Sequence, residues 1–267
     1  MNSNTTIPRI IHYCWFGGNE KPEIVKKCMA SWKEKCPDFE IKEWNENNFD
    51  INMFPYTKEA YENKKWAFVS DVARLWIIYN YGGIYMDTDV EIKGDFGELL
   101  SYDSFMFFES VDINTGLGFG AKKNNKLVKA ILDDYNDRHF VKKNGDFDLT
   151  PCPSINTYVI EKTLKDFKPI GITQKNDNMA FISLDEYSKN FHHFGVGSWG
   201  NEDAKSSCEE YKDTFLKRFL RKPSRLTYLS KHLPRKIYRA YVFFAYDFLE
   251  YGPWFLSKKL LTKLFKK

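Results

Sequence analysis

The chain has 267 residues, 43% of them hydrophobic and 28% charged, which excludes a disordered protein and allows one large domain or one domain with an appendage. No run approaches about 18 uninterrupted apolar residues, so no transmembrane helix is expected, and the start "MNSNTTIPRI" lacks the basic and apolar regions of an export signal. The net charge of +4 hides an asymmetry: residues 205–267 hold 16 Lys and Arg against 5 Asp and Glu, whereas residues 1–204 hold 24 against 31. An acidic body is a poor partner for nucleic acid, and the basic tail needs its own explanation.

Ile10 to Phe16, "IIHYCWF", is an apolar run bounded by Pro8 and Gly17-Gly18 and reads as a buried strand. Pro22 opens a helix with Ile24, Val25, Cys28, Met29 and Trp32 on one face. "FEIKEW" (Phe39 to Trp44) is a second strand, so the start is a β-α-β unit with a parallel pair. Lys64 to Tyr81 reads as a long helix with Val69, Val72, Trp76 and Tyr79 in a stripe, stopped by Gly82-Gly83. Ile84 to Ile92, "IYMDTDVEI", reads as one strand. Ser104 to Ser110 is another strand and Asn124 to Tyr135 an amphipathic helix. Ser154 is placed to cap a helix through about Lys165, and "PIGIT" and "MAFISL" are further strand candidates. The alternation predicts an α/β sandwich with a mostly parallel sheet, whose ligands bind at the carboxyl ends of its strands. Cys14, Cys28, Cys36, Cys152 and Cys208 are odd in number and include no CxxC pair; free thiols in a reducing compartment are expected.

The acidic strand carries the chemistry. Tyr85, Asp87, Asp89 and Glu91 alternate onto one side of it. Two carboxylates held close repel, and burial raises one of their pKa values. A divalent cation removes that penalty, and hard oxygen ligands suit Mg²⁺ or Mn²⁺. An isolated DxD, being so short a pattern, is more often a solvated edge strand. On the preceding helix Asp71 and Arg74 share a face distinct from the apolar stripe. They read either as an ordinary ion pair or as a sugar-binding carboxylate beside a guanidinium fork turned to phosphate.

The run "WAFVSDVARLWIIYNYGGIYMDTDVEI" (Trp66 to Ile92) resembles the DxD-containing sugar-binding region of GT-A glycosyltransferases, nearest the retaining bacterial capsule and yeast-type mannosyltransferase family and related to clostridial glucosylating toxins. "IPRIIHYCWFGG" and "FHHFGVGSWG" (Phe191 to Gly200) extend the likeness over roughly residues 7–200. The resemblance implies a GT-A, Rossmann-like domain at 1–204. It implies Asp87 and Asp89 as ligands of Mn²⁺ or Mg²⁺, with His192 or His193 completing the shell, and Asp71 and Arg74 as contacts of donor sugar and diphosphate. Trp15 would stack on the base; Phe16, Gly17, Gly83, Tyr85, Ser198 and Trp199 would line the nucleotide-sugar site. Spacing leaves His192 and His193 undecided.

The implied activity is metal-dependent, retaining transfer of a hexose, expected from a UDP-sugar, to a lipid-linked surface glycan. Residues 205–267 contain "TFLKRFLRK", "RKIYRAYVFFAYDFLEYG" and "WFLSKKLLTKLFKK", basic amphipathic segments that suit an anionic bilayer surface. A peripheral position on the cytoplasmic face of the plasma membrane is therefore expected. A helical bundle covering the sheet is the other reading of this tail. A catalytically silent nucleotide-sugar or carbohydrate-binding protein and a toxin-like protein glycosyltransferase are the alternative functions.

Overall fold

The computed structural model of the chain describes residues 6–176 and 178–195. The elements run β1 (Ile10–Cys14), α1 (Glu23–Lys35), β2 (Glu40–Trp44), a short 3-10 turn (Ile51–Met53), α2 (Pro55–Glu62) and α3 (Trp66–Tyr81). Then come β3 (Gly83–Tyr85), β4 (Val90–Ile92), a second 3-10 turn (Gly97–Ser101), β5 (Ser104–Glu109), β6 (Asp112–Ile113) and β7 (Phe119–Ala121). The described part closes with α4 (Lys126–Asp133), α5 (Cys152–Thr163), β8 (Gln174–Lys175), β9 (Met179–Ile182), α6 (Leu184–Asn190) and β10 (Phe191–His193).

The main sheet has the order β2-β1-β3-β7-β5-β9-β8, with β6 paired to β5. β1 pairs in parallel with both β2 and β3, and β5 with β9; β7 lies antiparallel between β3 and β5, and β8 antiparallel to β9. Strands β2, β1, β3, β5 and β9 therefore share one direction, and the sheet is mostly parallel, as expected. The β1-α1-β2 unit has the expected parallel register, Ile10 opposite Glu40 through Cys14 opposite Trp44.

Alternation along each strand feeds two cores. On β5, Met106 and Phe108 point to one face and Phe105 and Phe107 to the other. The first face is covered by α2, α3, α4 and α5; the second by α1, α6 and a separate antiparallel pair, β4 with β10. Trp32 on α1 donates from Nε1 to the carbonyl of Val90 (2.7 Å), tying that pair down. Cys14, Cys28, Cys36 and Cys152 are buried free thiols.

Several expectations are corrected. The run from Ile84 to Ile92 is two short strands separated by a turn, because its halves answer to different partners: β3 joins the main sheet and β4 pairs with β10. Arg74 on α3 is buried along with Phe68, Val69, Val72, Ala73, Leu75, Ile77 and Ile78, so this helix has no separate polar face. Pro151, not Ser154, stands at the start of α5. "PIGIT" forms no strand; β8 begins just after it. Among the described residues no helix is long and apolar enough to cross a membrane. The basic tail, the division at residue 204, Ser198 and Trp199 lie outside the described residues.

Gly82 ends α3 at φ 68°, ψ −168°, a region that glycine alone populates readily. Its carbonyl is held by His12 Nε2 (3.0 Å), while Trp44 Nε1, which can only donate, points at His12 Nδ1 (3.0 Å). The fold thus requires a neutral imidazole with its proton on Nε2, and burial lowers the His12 pKa from 6.5 to about 4. Between these values the unfolded chain takes up a proton that the folded chain refuses. Stability is therefore expected to fall as pH drops from 6.5 towards 4, by up to about 1.4 kcal/mol per pH unit. An NMR titration of the His12 ring with a midpoint near 4 supports this; a midpoint at 6.5 contradicts it.

Candidate active site

The carboxyl ends of β1, β3 and β5 open on one edge of the sheet, the edge at which ligands of parallel sheets are held. After β3 the chain leaves the sheet. Asp87 N donates to the Gly116 carbonyl (3.1 Å), and Val90 N donates back to the Asp87 carbonyl (3.2 Å), closing a turn that carries Asp87, Thr88 and Asp89.

Arg74 organises the first half of this site. Its side chain is 4% exposed. Nε donates to the Ser70 carbonyl (3.1 Å), Nη1 to Thr115 Oγ1 (3.4 Å) and more distantly to Cys152 Sγ (3.8 Å). Nη2 faces Asp71 Oδ1 and Asp87 Oδ1, both at 3.1 Å. A guanidinium has five N–H groups, and protein atoms stand opposite each of its three nitrogens. The expected fork towards a phosphate is therefore not what the structure shows: Arg74 turns inward and fixes two carboxylates. Its plane also lies over the Tyr85 ring, 4.9 Å from the centroid, and Tyr85 Oη donates to the same Asp87 Oδ1 (2.9 Å).

The electrostatics follow from burial. Burial pushes the carboxyls of Asp71 and Asp87 upward while Arg74 pulls them down; the Asp89 charge adds to the upward push on Asp87, and the Asp87 charge does the same to Asp71. Cys152, at the start of α5, donates its thiol hydrogen to Asp71, and burial first, then the Asp71 charge, keep that thiol protonated. Asp87 Oδ2 faces Gly116. A Cβ built on residue 116 would stand 2.3 Å from Oδ2 and 2.9 Å from Asn114 Oδ1, so only glycine lets the Asp87 carboxylate pack this closely against the backbone.

Asp89 belongs to the other half. His193 lies opposite Val90 in the β4–β10 pair, and its Nε2 comes within 3.4 Å of Asp89 Oδ1. The Phe194 amide also donates to the Asp89 carbonyl (3.0 Å). Burial opposes a charge on His193, but the hydrogen bond and charge of Asp89, with Glu109 and Asp87 behind it, raise its pKa to about 9. His192, one residue earlier, sits opposite Glu91 and packs against the edge of Phe194 (4.5 Å between centroids). Geometry thus separates the two histidines: His193 joins the acidic turn, and His192 does not. Among the described residues, no three or more His, Cys, Asp or Glu side chains form a ready-made metal cage.

The remaining predicted positions divide. Trp15 follows β1, half-buried, with Nε1 donating to the Asn19 carbonyl (2.7 Å) and the Lys21 ammonium 5.5 Å from its ring. Phe16 is buried in the core against Phe49 (6.0 Å between centroids) and presents no face to a ligand. Gly17 has φ 87° and donates its amide to Glu46 Oε1 (2.6 Å); a Cβ there would strike the Trp66 ring at 2.6 Å. Gly83 starts β3, at the opposite end from Asp87, packed under the Ile10 carbonyl and His12. Its place in the fold is the close strand approach. Thr115, Gly116 and Cys152 were not singled out from the sequence, although the segments that hold them, residues 109–125 and 149–158, resemble the family's sugar- and acceptor-facing region and its Pro-rich loop near the donor. The glycines after Asn114 and the prolines around Cys152 were the available signals, and ordinary turn chemistry leaves the same ones.

Residues 22–106 match the glycosyltransferase sugar-binding region containing a DXD motif. The chain is similar to inositol phosphoceramide mannosyltransferase 1 of Schizosaccharomyces pombe, at 27% identity over 74% of this chain and 64% of that protein. It is also similar to inositol phosphoceramide mannosyltransferase 3 of the same yeast, at 32% identity over 39% of this chain and 30% of that protein. Among solved structures, a protein described as PaToxG glycosyltransferase is similar with a TM-score of 0.47 and 19% identity, over 60% of this chain and 70% of that one. The chain thus spans between about a third and two thirds of the length of these yeast relatives. Residues 22–106, with Asp87 and Asp89 as the acidic pair, are thus similar to the DXD-containing sugar-binding region of glycosyltransferases.

Proposed function

We propose that the chain transfers a hexose from a nucleoside-diphosphate sugar, with a divalent cation held at Asp87, Asp89 and His193, the imidazole giving up its proton as the cation binds. The observation that carries this reading is the division of labour in the acidic turn. Arg74 and Tyr85 both occupy Asp87 Oδ1, Oδ2 rests against Gly116, and Asp89 turns the other way, towards His193. Two carboxylates without a full protein cage suit Mg²⁺ or Mn²⁺, which take further ligands from substrate phosphates. When bound, such an ion supplies Lewis-acid stabilisation of the charge gathering on the departing diphosphate.

The chain's own residues do the rest. Arg74 holds Asp71 and Asp87 at fixed spacing, so the donor meets a preorganised surface. Asp71, 13% exposed, is placed to accept from sugar hydroxyls, and the Cys152 thiol steadies it from behind. Trp15 and Gly17, at the end of β1, form the wall on which a base can lie. Retention of anomeric configuration is proposed from the family likeness. In that course the leaving diphosphate oxygen takes the acceptor's proton on the same face, and no protein base is assigned.

A UDP-hexose is the proposed donor. The names of the yeast relatives add mannose, and hence GDP-mannose, to the donors worth testing. The acceptor is proposed to be a lipid-linked glycan at the cytoplasmic face of a membrane, with residues 205–267 as the contact with anionic lipid.

Release of free sugar from UDP-glucose, UDP-galactose or GDP-mannose is expected to require Mn²⁺ or Mg²⁺. Asp89→Asn is expected to reduce it by about two orders of magnitude or more, since metal stabilisation is worth several kcal/mol. Donor binding without turnover under any metal would point instead to a silent binding protein. Gly116→Ala tests the seating of Asp87: the added methyl must displace its carboxylate, so activity is expected to fall about a hundredfold. The melting temperature should move by only a few degrees. Full activity in Gly116→Ala would refute the role of the Asp87 carboxylate in the site.

A further inference from the structure

Glu46 stands two residues past the end of β2, in a turn that its neighbours close. Asn47 N donates to Asn45 Oδ1 (2.9 Å), Asn45 N to Asn48 Oδ1 (2.9 Å) and Phe49 N to the Asn45 carbonyl (3.0 Å). The Trp15 amide donates to the Trp44 carbonyl (2.8 Å), so the segments after β1 and β2 run side by side beyond the strands. The half-buried Glu46 side chain bridges them. Its Oε1 accepts from the Gly17 amide (2.6 Å) and from Tyr61 Oη (3.2 Å). Tyr61 meets the Trp66 ring edge-on (4.9 Å between centroids), and that ring lies against Gly17. Glu46 is thus built into the wall that Trp15 and Gly17 begin.

Only one of its oxygens is used. Oε2 accepts no hydrogen bond from the described residues and is not closed off from solvent. Glutamine would serve Gly17 and Tyr61 equally, since one carbonyl oxygen takes two donors. What a carboxylate adds is a second oxygen that accepts only. Phosphate has no use for it, because like charges repel. In the order β2-β1-β3, Glu46 also lies two strands, about 10 Å, from the acidic turn that follows β3. A ligand with its diphosphate at that turn, running across β1, brings its uncharged end towards Glu46. The nucleoside supplies N–H and O–H donors there.

We propose that Glu46 binds the nucleoside end of the donor, its Oε2 accepting a hydrogen bond from a base N–H or a ribose hydroxyl. This rests on the nucleotide-sugar reading above and adds to it a contact with the part of the donor that is not transferred. Hydrogen bonds to a charged acceptor are the stronger kind, so the contact has a measurable share in affinity.

Glu46→Gln tests the proposal on the full chain. The amide oxygen keeps the bonds to Gly17 and Tyr61, and the amide nitrogen presents hydrogens where Oε2 accepted them. Calorimetric titrations in Mn²⁺ compare UDP, and GDP in a parallel series, with inorganic pyrophosphate. Nucleotide binding is expected to weaken about tenfold, while pyrophosphate binding and the melting temperature stay as in the unsubstituted protein. The 2′,3′-dideoxy nucleotides separate the two sources: a loss that vanishes with them assigns the contact to ribose, and one that persists assigns it to the base. Equal weakening of nucleotide and pyrophosphate would mean that Glu46 acts only through the loop, and the proposal falls. Unchanged nucleotide affinity overturns it as well. If the unsubstituted protein binds pyrophosphate as tightly as the nucleotides, this proposal fails alone. If it binds none of them, the metal and diphosphate reading fails first and takes the role of Glu46 with it.

Discussion

A buried guanidinium holding two carboxylates is the interaction on which the site depends. Arg74 could not be buried alone, since an unpaired charge in the interior costs several kcal/mol even after relaxation. Asp71 and Asp87 make it tolerable, and it in turn keeps both of them from drifting into water or towards each other. Arginine suits the task because its rigid fork can face the Ser70 carbonyl, Thr115 and the two acids at once. A lysine would bring one point charge and lose the geometry. The pair of acids in α3 and the acidic turn is therefore set by the interior of the protein before any substrate arrives.

The location of this chemistry was legible in the sequence; its internal wiring was not. The spacing of Asp71, Arg74, Asp87 and Asp89 around a Gly-Gly helix stop could be read directly, because helix periodicity and C-terminal glycine are local signals. The mostly parallel sheet followed for a similar reason, from alternation of strands and helices. The inward turn of Arg74 depended on burial of every side of α3, which requires knowing that α2, α4, β1 and β3 surround it. The choice between His192 and His193 depended on the pairing of β10 with β4, about 100 residues earlier in the chain. Neither contact leaves a mark in a local pattern. Phe16 and Gly83 were drawn to the ligand by neighbouring motifs, whereas the core and the close approach of β3 to β1 account for them.

The two halves of the site come from opposite faces of the sheet. The face covered by α3 and α5 supplies Asp71, Arg74 and Cys152; the face covered by α6 and the β4–β10 pair supplies His193. Such a site stays rigid because each half is anchored in its own hydrophobic core, and displacing either means disturbing close-packed side chains. This also explains the density of aromatic rings around Phe107, Tyr187 and Phe191, which fasten α6 and β10 to β5 immediately below the carboxyl edge.

The break between β3 and β4 joins these halves. Had Ile84 to Ile92 remained one strand, Asp87 and Asp89 would have projected from the same side, with their charges opposed and only one face of the sheet to answer them. Leaving the sheet after Tyr85 turns Asp87 back to Arg74 and sends Asp89 towards His193. Each carboxylate thereby gains a cationic or protonatable neighbour on a different face, while their charges remain close enough to act on each other. The repulsion that remains is what a divalent ion would relieve. The short turn of Asp87, Thr88 and Asp89 is thus the seam between two separately packed cores.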